Sequence, residues 1–182
     1  MAGENNRAAK PAPPLRIDEV ALPSGGVIGL CHCPGRRDGA AAWGRDLGLD
    51  LAAIEAWGAA HMLTLVQARE FERLGVPDFA EQAGRARFAW HHVPIRDLHV
   101  PETAIAGLWA ETERTLVEAL ERGDRVLVHC AAGLGRSGTV VARLLVDHFG
   151  HTADSAIATV RAVRPGTIET LDQEAYVRRP RR

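Results

Sequence analysis

Val126-Leu127-Val128-His129-Cys130-Ala131-Ala132-Gly133-Leu134-Gly135-Arg136-Ser137-Gly138-Thr139 is the stretch on which the reading of the chain turns. Arg125 to His129 is short, apolar and rich in β-branched residues, as a buried strand is, and it delivers Cys130 to its C-terminal end. A glycine-rich turn follows, and Thr139 to Phe149 reads as a strongly apolar helix. Successive backbone N–H groups in such a turn point inward and form an anion-binding nest. The helix starting near Arg136 adds the positive end of its dipole. Gly133, Gly135 and Gly138 are expected to supply left-handed dihedrals and close approach of backbone to ligand. Arg136 offers a planar fork that binds two oxygens of a tetrahedral anion at once. At the floor of this positive cup Cys130 is favoured as the thiolate, the nucleophilic form, placed for in-line attack on a bound phosphate.

Other readings of the same stretch fit less well. Gly133 to Gly138 spells GxGxxG after a strand, the dinucleotide fingerprint. However, Ala153 to Val163 reads as helix where that fold needs a second strand, and no acidic residue ends a strand about twenty residues on. A mononucleotide P-loop is excluded because no Lys-Ser/Thr closes the turn. Cys31 and Cys33 read as small buried hydrophobes. Cys31-His32-Cys33 lacks a second ligand pair at zinc-site spacing, so no metal and no other cofactor is expected.

Working outward, Val27 to Cys31, His61 to Val66 and Phe88 to Ile95 read as further strands. Asp50 is expected to cap a helix ending at Trp57-Gly58, and a short helix from Arg69 to Leu74 stops at Gly75. Pro77-Asp78 opens another turn. After Pro101 a long helical pattern carries Ile105, Leu108, Trp109, Leu116 and Leu120 to Gly123. Thr152 caps a helix through Val163, Pro165-Gly166 breaks it, and a last helix starts near Glu169. Strands alternating with helices imply an α/β domain, a central mostly parallel sheet flanked by helices on both faces. Residues 1–14 are expected to be disordered, 15–177 to form one domain, and 178–182 to be a solvated basic tail, with a handle for acidic partners as the weaker reading.

The 182 residues carry a formal net charge of −1, which gives no global basic field for nucleic acid or an anionic membrane. No run reads as a signal peptide or a membrane span. An odd cysteine count argues against a disulfide framework, so a reducing cytoplasm is the expected compartment.

His129-Cys130-x-x-Gly133-x-x-Arg136-Ser137 resembles the signature of the protein tyrosine phosphatase superfamily. The wider chain, from about Gly29 to Tyr176, is similar to the kinase-associated phosphatase (cyclin-dependent kinase inhibitor 3) family within the dual-specificity group. The Cys-Pro-Gly region, the helix near Asp50 and the Gly166-to-Gln173 segment carry that likeness. The resemblance implies the cysteine-phosphatase fold and hydrolysis of phosphate monoesters through a phosphocysteine. Cys130 would be the nucleophile and Arg136 the phosphate clamp, with Ala131, Ala132, Gly133, Leu134 and Gly135 forming the phosphate-binding loop. Ser137 would hydrogen-bond the sulfur, and His129 would orient the cysteine.

The resemblance also implies a general acid on a loop that follows a strand. His91-His92-Val93-Pro94-Ile95-Arg96-Asp97-Leu98-His99-Val100-Pro101 fits, with Asp97 as the acid and Pro101 four residues on. His92 and His99 are rivals for proton transfer that the family pattern does not favour, and Arg96 reads as an exposed charge. Gln173 is expected to face the site and orient water, and Thr170 to be structural. None of the variable loop positions is basic, which argues against a polyphosphorylated lipid. A phosphorylated protein, at tyrosine, serine or threonine, is therefore the expected partner, and the enzyme is expected to be a monomer. Readings from other classes are a phosphoprotein-binding module without turnover and a rhodanese-like sulfurtransferase.

Overall fold

A computed structural model of the chain describes residues 13–37 and 45–180. Five strands form one sheet: β1 (Asp18–Ala21), β2 (Val27–Cys31), β3 (Ala59–Thr64), β4 (Ala89–His92) and β5 (Arg125–His129). Their order is β1-β2-β5-β3-β4. The strand carrying the cysteine therefore lies in the middle, parallel to β2 and β3. β4 is parallel to β3, and β1 closes the opposite edge antiparallel to β2. Val126, Leu127 and Val128 are all fully buried, as a strand covered on both faces requires.

The register aligns the carboxyl ends. Cys31 and Thr64 both lie opposite His129, and His92 lies opposite Thr64. In parallel α/β sheets ligand sites form outside this end, because the loops leading into the helices gather there.

The helices are α1 (Leu47–Ala56), α2 (Glu70–Arg73), α3 (Phe79–Ala83), α4 (Ala106–Glu121), α5 (Gly135–His148), α6 (Ala153–Val163) and α7 (Leu171–Val177). Helices α4 and α5 pack against β5, α1 against β3, and α6 and α7 against α5. The expected α/β sheet flanked by helices is the fold found. Thr152 caps α6 by accepting from Ser155 N. Thr170 opens α7 through a reciprocal capping box with Gln173.

Several expectations need correcting. Asp46, not Asp50, caps α1, accepting from Leu49 N at 2.9 Å. Asp50 sits inside the first turn, buried, where it accepts from Gly35 N and from both Nε and Nη2 of Arg45. A one-turn 3₁₀ segment, Thr103–Ile105, precedes α4, and Leu108 faces solvent while Trp109, Leu116 and Leu120 are buried. The short edge strand β1 was not anticipated.

The basic tail is not a free end where the structure describes it. Arg143, 3% exposed, donates to the carbonyls of Val177, Arg179 and Pro180. Arg178 pairs with Glu174 and Asp154. Of residues 1–14, expected to be disordered, 1–12 lie outside the described residues, as do the tail residues 181–182.

Candidate active site

Cys130 follows the last residue of β5 and is 3% exposed. Its Sγ accepts a hydrogen bond from Gly133 N at 3.3 Å, so the turn folds back over the sulfur with an amide directed at it. The sulfur does not face closed core. Cys130, Ala131 and Ala132 line a cleft of about 290 Å³ with Asp97, Leu98 and Arg73.

Only one of the three expected glycines needs its φ. Gly133 has φ +72°, and a Cβ there would stand 2.1 Å from the carbonyl oxygen of Cys31. Gly135 and Gly138 lie in α5, where space rather than φ bears on them. A Cβ on the first would meet Glu169 Oε2 at 2.4 Å, and on the second Thr167 Cβ at 2.7 Å.

Arg136, in the first turn of α5, is 2% exposed. Nη1 donates to Glu70 Oε2 at 2.7 Å and to Ile95 O at 2.9 Å, and Nη2 donates to Glu70 Oε1 at 3.0 Å. This bidentate grip sets the plane of the guanidinium. Burial alone would push the Glu70 carboxyl up. The Arg136 hydrogen bonds and the Gln67 N–H outweigh it and hold that carboxyl below its ordinary range. Arg136 Nε is buried and makes no hydrogen bond among the described residues, and Arg136 itself is not one of the residues lining the cleft.

Asp97 comes to the same guanidinium from the loop after β4, its Oδ1 3.0 Å from Arg136 Nη2 and its side chain 53% exposed. The next residue, Leu98, has φ +60°, an uncommon conformation for a side-chain-bearing residue, and His99 N closes the turn onto Arg96 O. The rival histidines are both tied to backbone: His92 Nε2 contacts Val66 O at 2.8 Å, and His99 Nδ1 contacts Asp97 O at 2.6 Å. Arg96 pairs with Glu102 at the surface, as an exposed charge does.

His129 is fully buried, and burial drives its pKa down to about 3, so the ring is neutral at working pH. Its partners fix the tautomer. Trp90 Nε1 can only donate and does so to Thr64 Oγ1 at 2.9 Å. The carbonyl of Cys130 can only accept, so the neutral ring carries its proton on Nδ1 and donates it there at 3.2 Å, which leaves Nε2 to accept from the Thr64 hydroxyl at 2.7 Å. A directed chain thus anchors the backbone of the cysteine.

Two expectations differ from what is found. Ser137 is buried, but its Oγ makes no hydrogen bond within the described residues, to the sulfur or otherwise. Gln173 does not line the cleft. Its Oε1 accepts from the amides of Glu169 and Thr170, and its Nε2 donates to His99 O at 3.3 Å, tying α7 to the Asp97 loop. Sequence reasoning missed Glu70 and Thr64, which act on motif residues 66 and 65 positions away. Cys31 and Cys33 are fully buried free thiols, both pushed up chiefly by burial, as core cysteines are.

A thiol at the end of a central parallel strand, with a loop amide on its sulfur and a clamped guanidinium paired to an exposed carboxylate nearby, is the arrangement of the cysteine-dependent phosphatases. A family model described as the catalytic domain of dual specificity phosphatases matches residues 74–178. Cyclin-dependent kinase inhibitor 3 of Rattus norvegicus is 30% identical over 156 residues, covering 82% of this chain and 69% of that protein. Its Mus musculus counterpart is 28% identical over 151 residues with the same coverage. The crystal structure of kinase associated phosphatase, carrying serine for its catalytic-site cysteine, superposes with TM-score 0.80 at 26% identity, covering 91% of this chain and 93% of that one. The chain belongs to the dual specificity phosphatase family and is a cysteine-based protein phosphatase.

Proposed function

We propose that this enzyme removes phosphate from tyrosine, serine or threonine side chains of proteins, with Cys130 as nucleophile, Arg136 as clamp and Asp97 as proton donor and acceptor. The observation that carries the reading is that Cys130, its sulfur bonded to a loop amide, and the exposed Asp97 line one cleft, and that the Asp97 carboxylate meets the buried Arg136 guanidinium. The phosphoryl group enters the nest, and its equatorial oxygens take the loop amides and Arg136. The sulfur attacks phosphorus as the bond to the leaving oxygen breaks. Asp97, released from Arg136 Nη2 and having taken a proton from solvent, gives that proton to the leaving oxygen. In the second step the Asp97 carboxylate takes a proton from water, the water oxygen bonds to phosphorus, and the phosphorus–sulfur bond breaks.

Ser137 Oγ, buried in the first turn of α5 without a hydrogen-bond partner among the described residues, is the hydroxyl we assign to receive the sulfur as it departs. Gln173 acts at one remove, by holding the loop that carries Asp97. The absence of basic residues at Ala131, Ala132, Leu134 and Gly135 supports protein rather than inositol lipid as substrate. Three free cysteines accord with a reducing cytoplasm as the working compartment. A phosphopeptide panel tests the reading. Cys130→Ser is expected to abolish turnover on every peptide while retaining phosphate binding, and turnover by that variant at the parent rate would overturn it.

A further inference from the structure

The nest over Cys130 works only if its amides point inward, so something must hold the carbonyls outward. In a planar trans peptide the C=O of one residue and the N–H of the next point in opposite directions. The Ala132–Gly133 peptide has its N–H on Cys130 Sγ at 3.3 Å and its oxygen on Arg164 Nη2 at 2.8 Å. The next peptide has its Gly133 oxygen on Arg164 Nε at 2.7 Å. The third edge of the same guanidinium, Nη1, lies 2.6 Å from Asp18 Oδ2.

Arg164 follows the last residue of α6 in a non-helical conformation, and its side chain is 14% exposed. Asp18, on the edge strand β1, is 9% exposed and also accepts from Arg16 at 2.7 Å. Asp18 lies outside the segment matched by the family model. The neighbouring carbonyls are held as well. Ala131 O accepts from Cys33 N and Arg36 Nη1, and Leu134 O accepts from Gly138 N. Arg164, however, grips two successive loop carbonyls with one rigid group, and its fork geometry is what makes that possible.

We infer that Arg164, braced by Asp18, is a positioning residue for the phosphatase reaction: it sets the two loop peptides whose amides receive the transferred phosphoryl group. The inference rests on Cys130 being the nucleophile. It differs from a long-range charge effect in a way that can be measured. If Arg164 acted only as a positive charge near the anion site, Arg164→Lys would preserve function. Asp18→Asn, which removes a nearby negative charge, would then tighten oxyanion binding. If Arg164 acts by geometry, a lysine cannot span two carbonyls and Asp18, and Asp18→Asn loosens the brace, so both changes weaken binding.

The test measures vanadate inhibition and kcat/KM for p-nitrophenyl phosphate in the full chain, well below each variant's melting temperature. A misplacement of about 1 Å costs up to roughly 10²-fold. The expected result is therefore a rise in the vanadate inhibition constant of about 10–100-fold for Arg164→Lys, with a smaller rise of the same sign for Asp18→Asn. Wild-type kinetics in Arg164→Lys, or tighter vanadate binding in Asp18→Asn, would overturn the inference. So would a lowered melting temperature with unchanged kinetics, which marks a purely structural ion pair. Cys130→Ser run alongside separates the two failures: retained turnover there sinks the nucleophile assignment, and its loss with normal Arg164 variants sinks only the clamp.

Discussion

Glu70→Gln removes one half of the pair that aims Arg136 while keeping the side chain's size. Arg136 and Glu70 side chains are 1% and 6% exposed, and two hydrogen bonds of 2.7 and 3.0 Å join them. Breaking a buried ion pair on one side costs about 3–5 kcal/mol, because the remaining charge is left without its counter-charge. Here the guanidinium keeps Ile95 O and the half-exposed Asp97. The lower end, about 3 kcal/mol, is therefore expected. In a domain of this size 1 kcal/mol moves the melting temperature by about 2–4 °C, so the fall should be about 6–12 °C. Urea denaturation and calorimetry near neutral pH read it. Because the Glu70 carboxyl is held below its ordinary range in the fold, its contribution is present above its unfolded pKa of about 4.3 and is lost as pH falls through the folded value. Wild type and variant should therefore converge in stability in acid. Well below the melting temperature kcat/KM should also drop, by about 10–100-fold, as the guanidinium loses its fixed plane. A variant within about 0.5 kcal/mol of wild type, with full activity, would refute the claim that Glu70 sets the clamp.

Asp97→Asn should lower kcat by about 10²–10⁴-fold and alter the pH–rate profile, and an unchanged profile would move the proton transfer to another residue. For His129 the folded pKa of about 3 lies below the unfolded value of about 6.5, so its contribution is complete above 6.5 and fades as pH falls toward 3. Between about pH 7 and pH 5 the wild type should lose about 2 kcal/mol more stability than His129→Gln, by urea denaturation; equal losses would contradict a buried neutral ring. Gly133→Ala should fold poorly or lose most activity, because its Cβ would stand 2.1 Å from Cys31 O at φ +72°, and a stable, fully active variant would show that the loop has another shape.

How far the sequence foretold the fold depends on how local each signal is. The stretch from Arg125 to Thr139 was legible because one run of residues carries a strand, a turn chemistry and a helix start together, and β5 and α5 lie there. Thr152 was legible as a cap because its partner is only three residues away, whereas Thr170, expected only to be structural, caps the last helix. Asp50 was misread because Asp46 and Asp50 both precede apolar helix residues, and a tertiary pair with Arg45 decided between them. β1 has four residues, too few for alternation to stand out. Glu70, Thr64 and Arg164 could not be found from the motif, since each meets it through the sheet or across the loop, 31 to 66 residues distant. The hydrogen bond expected from Ser137 to the sulfur is not made among the described residues, because hydroxyl orientation follows three-dimensional packing.

The most direct test of the account is to trap the enzyme during turnover and find where the phosphoryl group sits. Asp97→Ala slows the hydrolytic step, so rapid acid quench after mixing with p-nitrophenyl phosphate should leave one phosphoryl group per chain. Peptide mass spectrometry should place it on Cys130. A phosphoryl group on any other residue, or none at all while product forms in a burst, would contradict the mechanism.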